Sequence, residues 1–228
     1  MLAVLYDIHG NLPALEAVLG DAEEAGAERF LLGGDYALFG PWPYETVRRL
    51  HDLDAAVWIR GNGERWTAAP ASAPDDELVR SAIEASREEL GGAVDELAAL
   101  PEQYVTATER FCHGSPLSDV RSFLPEPGDD EDELLADAHE ERVVFGHTHL
   151  QFRRPDAGGG LELVNPGSVG MPFDGDPRAG YALIGDDGQL ELRRVEYDHE
   201  RSAAQVAERF PGFGETIARR ISQAAFDA

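Results

Sequence analysis

Five short apolar runs in this chain each end just before a side chain able to ligate a metal. Residues 2–6 run into Asp7 and His9, 30–32 into Gly34-Asp35, 56–59 into Gly61-Asn62, 110–112 into His113-Gly114, and 142–145 into Gly146-His147-Thr148-His149. Runs of this length and composition read as buried strands. In open α/β sheets ligands bind at the carboxyl ends of strands, so five strand ends bearing carboxylate, amide and imidazole groups are expected to converge on one edge. The glycines beside Asp35, Asn62, His113 and His147 permit tight turns and close backbone approach there. Singly, Asp-x-His or Gly-Asp is a weak signal, and Gly-Asn is an ordinary turn dipeptide. The ordered set of five, each behind a strand, carries the reading.

These blocks resemble those of the calcineurin-like metallophosphoesterase superfamily: D-x-H, G-D-x-x-x-x-G, G-N-H-D/E, H and G-H-x-H, in this order. Here they read Asp7-Ile8-His9, Gly34-Asp35 through Gly40, Gly61-Asn62-Gly63-Glu64, His113, and Gly146-His147-Thr148-His149. The Asn165-Pro166-Gly167-Ser168 segment and the chain length are most similar to the compact bacterial and archaeal phosphodiesterase branch. The resemblance covers about residues 1–197. It implies a four-layer α/β/β/α sandwich of two mixed β-sheets flanked by helices. The length suits one domain over 1–228, and the pattern after about 198, outside the resemblance, reads as C-terminal helices.

The resemblance further implies that Asp7, His9 and His149 hold a first divalent ion and Asn62, His113 and His147 a second, with Asp35 bridging. It places Asp35, Asn62, His113 and His147 in catalytic roles. Two cations about 3.5–4 Å apart clamp a phosphoryl group and lower the pKa of a bridging water until hydroxide is available near neutral pH. Imidazole, carboxylate and amide donors without thiolate suit manganese first, and iron, zinc or nickel, better than calcium or magnesium. The family usually has His after the Gly-Asn pair, where it holds phosphate and protonates the leaving oxygen. This chain has Gly63, so that role falls to solvent, the metals or a loop residue. Glu64 is expected to orient a His ligand or to lie exposed in a turn.

Composition sets limits on the substrate and partners. The net charge is −25, from 44 acidic and 19 basic side chains, and every basic one is arginine. Such a surface repels a polynucleotide backbone, so small phosphorylated substrates are expected and polymeric nucleic acid is disfavoured. Bound divalent ions would still make the site locally positive. The apolar start is too short for a secretory leader, no run suits a membrane span, and the lone Cys112 forms no internal disulfide, which together point to a cytoplasmic enzyme. Nothing in the sequence sets the oligomeric state.

Helices are expected from Asn11, as N-cap with Pro13 in the first turn, over residues 44–53, over 75–100 as one long amphipathic helix after an Ala/Pro-rich linker at 67–74, and over 201–210 and 214–226. Strands at 151–154, 161–164, 180–184 and 190–197 are expected to form the second sheet, with turns at 158–160 and 185–188. The segments 64–100 and 114–140 leave the ligand-bearing edge and are placed to shape a pocket. Phe39, Trp42 and Trp66 are candidates for an aromatic wall, with ordinary packing as the plainer reading. Arg60, Arg65 and Arg121 are candidate phosphate clamps. The acidic run 129–133 reads as a solvated helix start, and His51, His139 and His199 as surface residues. The expected activity is therefore a binuclear-metal phosphoesterase, with a phosphodiesterase favoured over a phosphomonoesterase or dinucleoside polyphosphate hydrolase. The rival reading is a non-catalytic metal-binding interaction scaffold on the same fold, with Gly63 as a first sign of an eroding site.

Overall fold

Alternation in the first strand already sets the layering. In β1 (Leu2–Leu5) the side chains of Ala3 and Leu5 join one buried cluster, while Val4 and the following Tyr6 join another, as the period of two requires. The first cluster lies against α1 (Leu12–Glu24) and α2 (Pro43–His51). The second is the space between two sheets. The computed structural model describes residues 1–227.

The chain continues through β2 (Arg29–Leu32), β3 (Ala56–Trp58), α3 (Asn62–Ala68), α4 (Glu77–Leu90), α5 (Ala93–Ala98), β4 (Gln103–Val105), β5 (Glu109–Cys112) and α6 (Glu131–Leu134). It ends with β6 (Arg142–Val144), β7 (Phe152–Pro155), β8 (Glu162–Asn165), β9 (Ala179–Ile184), β10 (Leu190–Val195), α7 (His199–Arg209) and α8 (Gly214–Gln223). One five-stranded sheet has the order β10-β9-β1-β2-β3, the other β4-β5-β6-β8-β7. β1, β2 and β3 are parallel to one another, as are β5, β6 and β8, and each sheet is completed by antiparallel strands. Val4, Leu31, Ala182 and Ile184 of the first sheet face Phe111, Val144 and Val164 of the second. This is the expected α/β/β/α sandwich, although the layer over the second sheet is thin, with Phe123 and the single-turn α6 residue Leu134 packed on Cys112, Val143, Phe145 and Leu163. Among the described residues no helix is long and apolar enough to cross a membrane.

Three expectations about elements need correction. The strands β9 and β10 return to the first sheet instead of building the second. Every residue of β9 is buried, so it needs cover on both faces, and it finds that cover beside β1, between α1 and the other sheet. The long 75–100 helix is broken at Gly91-Gly92, where Gly91 turns to φ 50° and α4 ends. Asn11 precedes α1 but makes no cap bond with its side chain. Its amide instead donates to Gly170 O and the Tyr197 hydroxyl and accepts from Ser202 Oγ, tying α1 to α7 and to the chain before β9. Two elements had no clear signal: α3, which starts at a candidate ligand, and the polar edge strand β4.

The acidic run also differs from its expectation. Glu131 is buried, and its carboxylate holds the Arg154 guanidinium and the Ala157 N–H beneath the β7–β8 turn. Removing one member strands a buried charge. Glu131→Ala is expected to destabilise the fold by about 3 kcal/mol in urea titrations, whereas Asp132→Ala, on the exposed side of the same turn, should be nearly silent.

Candidate metal centre

The parallel strands of both sheets end at one edge, and the chain turns sharply where they do. Among the described residues eight non-glycine residues have positive φ, and Asp7, His9, Asp35, His147 and His149 are five of them. A side chain in the left-handed region costs energy, and such residues persist where the surroundings over-determine them, typically at functional sites. The turns are locked together by backbone bonds from Asp7 N–H to Gly34 O, His9 N–H to Asp35 O and Gly146 N–H to His113 O. Gly34, at φ 95°, lets this happen: a Cβ there would lie 2.5 Å from Gly61 N and 2.8 Å from His113 Nδ1. The Asn165–Ser168 segment braces the same edge from below. Asn165 donates to Gly146 O and Thr148 Oγ1, and Ser168 Oγ donates to Asp7 O.

Seven candidate ligands meet here. His9, His113 and His149 each direct Nδ1 at a backbone carbonyl, of Leu38, Gly33 and Met171 respectively. That fixes the proton on Nδ1 and turns the Nε2 lone pair inward. His9 Nε2 and His149 Nε2 then face each other at 3.1 Å, two acceptors without a proton between them. Asp7 Oδ1 is buried with no hydrogen-bond donor, 3.7 Å from His149 Nε2 and 3.8 Å from His113 Nε2. Asp35 reaches both sides, with Oδ1 3.4 Å from His113 Nε2 and Oδ2 3.9 Å from His9 Nε2. The inward end of the Asn62 amide lies 2.9 Å from His113 Nε2 and 2.8 Å from His147 Nδ1. An oxygen in that place meets only acceptors. So many converging lone pairs without donors are what cations satisfy, and the donor set fits divalent first-row ions. Two carboxylate–imidazole groups are close enough to hold an ion, Asp7 with His9 and His149, and Asp7 with Asp35 and His113. Asp7 therefore belongs to both groups, whereas Asp35 belongs to the second and reaches toward His9 of the first with its other oxygen.

Burial sets the electrostatics. It holds all four imidazoles below their usual pKa, His147 at about 3, and pushes the Asp7 and Asp35 carboxyls up, Asp7 further through the Asp35 charge. The imidazoles' contribution to stability is present above their ordinary value of 6.5 and is lost as pH falls through the lowered values. The carboxyls contribute oppositely: theirs is present below the ordinary 3.8 and is lost as pH rises through the raised values. Burial thus favours neutral imidazoles and makes charging the two carboxyls costly, and a cation beside them would offset that cost. The rise in Tm on adding Mn²⁺ should be several degrees larger at pH 8 than at pH 5, where protons compete for the ligands. Equal rises in the two melts would contradict this electrostatic account.

Glu64 does not touch a histidine. Its buried carboxylate accepts the N–H groups of Asp35, Tyr36 and Gly61, clamping two ligand-bearing turns together. Burial and then the Asp35 charge push its pKa up to about 7. Gly63 is likewise structural. Its N–H donates to Asp35 Oδ1 at 2.7 Å, and a Cβ would stand 2.8 Å from that oxygen. Replacing Gly63 with His would therefore press on Asp35 before the ring found a position. Gly63→Ala, which in an exposed helix would be favourable by about 1 kcal/mol, is expected here to weaken Mn²⁺ binding by about tenfold or more; a calorimetric titration with unchanged affinity would show that Asp35 yields freely.

None of the three candidate arginine clamps is free. Arg65 forms a two-pronged pair with Asp119, Arg60 binds Glu102, and Arg121 binds Asp130 and Glu133. Of the candidate aromatics, Phe39 and Trp66 line a cavity of about 670 Å³ opening onto His9, Asp35, Asn62, His147 and His149, and Trp42 does not. Sequence reasoning missed Phe173, stacked on His149 at 4.3 Å between centroids, and Arg220 on the same cavity wall. No spacing signal ties either to the ligands.

Comparison with known proteins bears on this geometry. The uncharacterized protein MJ0912 of Methanocaldococcus jannaschii is 28% identical over 90% of this chain and 91% of its own length. The phosphodiesterase YfcE of Escherichia coli is 29% identical over 88% of this chain and 94% of its own. A crystal structure of a metallophosphoesterase from Sphaerobacter thermophilus superposes with a TM-score of 0.83 at 26% identity, covering 98% of both chains. Protein PH1004 of Pyrococcus horikoshii shares the fold, with a TM-score of 0.84 at 20% identity over 99% of both. Residues 1–187 match the calcineurin-like phosphoesterase superfamily domain, and with the phosphodiesterase relative and these folds, the chain belongs to that superfamily.

Proposed function

We propose that this phosphoesterase is a phosphodiesterase for small phosphate esters, dependent on two divalent ions. The observation that carries the reading is the ring of inward lone pairs: His9 and His149 Nε2 at 3.1 Å and the donorless Asp7 Oδ1 beside them. Asp7, His9 and His149 would hold one ion, Asn62, His113 and His147 the other, and Asp35 would span both. Manganese is the first choice, with iron, zinc or nickel compatible. Bound there, the ions would supply Lewis acidity and activate water near neutral pH. The chain's own part is to keep the imidazoles neutral by burial, aim them through the Leu38, Gly33 and Met171 carbonyls, and wall off water with apolar side chains.

The 29% identity to a phosphodiesterase supports diesters as the substrate class. A scaffold would gain nothing from strained ligand turns, and the collision that a side chain at Gly63 would cause removes the one sign of erosion. The test compares kcat/KM of the Mn²⁺-loaded protein on a chromogenic diester, the matching monoester and a dinucleoside polyphosphate. Preference for the diester is expected; a preference for either of the others would overturn the assignment, and no turnover of any of them would favour the scaffold.

A further inference from the structure

The cavity over the ligands is lined by strikingly different chemistry on its two sides. Its floor is the ligand set, and its walls are Phe39, Trp66, Leu78, Val79, Met171 and Phe173. Val120, Leu124 and Phe226 stand at the same cavity, each more than two-fifths exposed. Large apolar side chains left in water around a cavity mark a surface that meets an apolar group. One wall runs as a stack of π systems: Phe173 lies parallel to His149, Phe226 meets Phe173 edge-on at 5.4 Å, and the Arg220 guanidinium sits 4.1 Å from the Phe226 ring centre.

Arg220 is the one arginine in that lining. Its Nε donates to Phe226 O, and among the described residues its two terminal nitrogens have no hydrogen-bond acceptor and its charge no carboxylate within 4 Å. The acids that act on it from farther off are Asp227 and Asp76, and Asp76, on the same cavity, is occupied in capping α4. This contrasts with Arg60, Arg65 and Arg121, all neutralised by acids. In a chain of net charge −25, a half-buried guanidinium facing a cavity with both terminal nitrogens unoccupied is suited to an anion.

We infer that α8 and residues 224–227 after it form the specificity wall of the site: Arg220 binds a non-bridging phosphate oxygen, and Phe226 with the apolar walls takes an aryl or alkyl ester group. A nucleobase fits less well, since its polar edges would find few partners on these walls. The inference rests on the proposed phosphodiesterase reading for its substrate and is testable by binding alone.

The experiment is calorimetric titration of the full-length protein, Mn²⁺-loaded, with phenylphosphonate and methylphosphonate, which are not hydrolysed. Wild type should bind the phenyl compound about tenfold more tightly than the methyl one. Arg220→Gln should weaken both by about tenfold, Arg220→Lys should recover part of that loss, and Arg219→Gln, which removes an equal charge from the exposed side of α8, should change neither. Phe226→Ala should reduce the phenyl preference several-fold while sparing methylphosphonate. Circular dichroism melts establish that each variant is folded. Wild-type affinity in Arg220→Gln, or an equal affinity of wild type for both phosphonates, overturns this inference and leaves diester hydrolysis standing. Loss of hydrolysis with these binding differences intact would instead reject the catalytic reading alone.

Discussion

Asp35→Asn should lower kcat/KM on a chromogenic phosphodiester by on the order of 10³-fold and leave the fold intact. The Asp35 carboxylate directs one oxygen at His113 and the other at His9, and with Asp7 it is one of the two carboxylates that approach imidazoles on both sides. Removing its charge would weaken whatever two bound ions share, and loss of about 4 kcal/mol of electrostatic stabilisation corresponds to about a thousandfold in rate. Asparagine is the informative replacement. It tolerates the left-handed backbone that Asp35 adopts at φ 56°, and its amide oxygen can still accept the Gly63 N–H. A drop in activity with unchanged melting would therefore report the charge and not a collapsed turn. Full turnover with both ions retained would show that Asp35 does not span the site.

A second large effect concerns the leaving group. Among the described residues the imidazoles on the cavity belong to the ligand set, because His51 stacks on Trp58, His139 lies exposed and His199 starts α7, all away from it. Gly63 offers no side chain, and an arginine does not give up its proton. A leaving oxygen must then depart largely unprotonated by the protein. Since a placed general acid is worth about 10²–10⁴-fold, nitrophenyl esters should exceed alkyl esters of similar size by a margin of that order, and the plot of log kcat/KM against leaving-group pKa should be steep. A flat plot would mean that an acid on the chain reaches the oxygen.

The two ends of this account were not equally legible in the sequence. Apolar runs before Asp7, Asp35, Asn62, His113 and His147 located five strands and the shared edge, because a strand's burial and its carboxyl end are both local properties. Which sheet a strand joins is not local. The wholly buried β9 could equally have entered either, and only its pairing with β1 decides. The supports of the site were hidden for the same reason. Glu64, three residues after Gly61, reads in sequence as a partner of a His ligand or an exposed turn carboxylate, yet it serves the amides of Asp35 and Tyr36 from another strand end. Glu131 looked solvated within its acidic run, and only the approach of Arg154 explains its burial. Arg220 carries no signal at all, since its meaning depends on α8 folding back beside His149.

The most direct test of the whole account is stepwise return of Mn²⁺ to exhaustively chelated protein, following bound metal and diester hydrolysis together. Binding should saturate at two ions per chain, and hydrolysis, absent from the chelated protein, should rise with occupancy and level off at the same point. Hydrolysis that survives chelation, or saturation without any second ion, would contradict it.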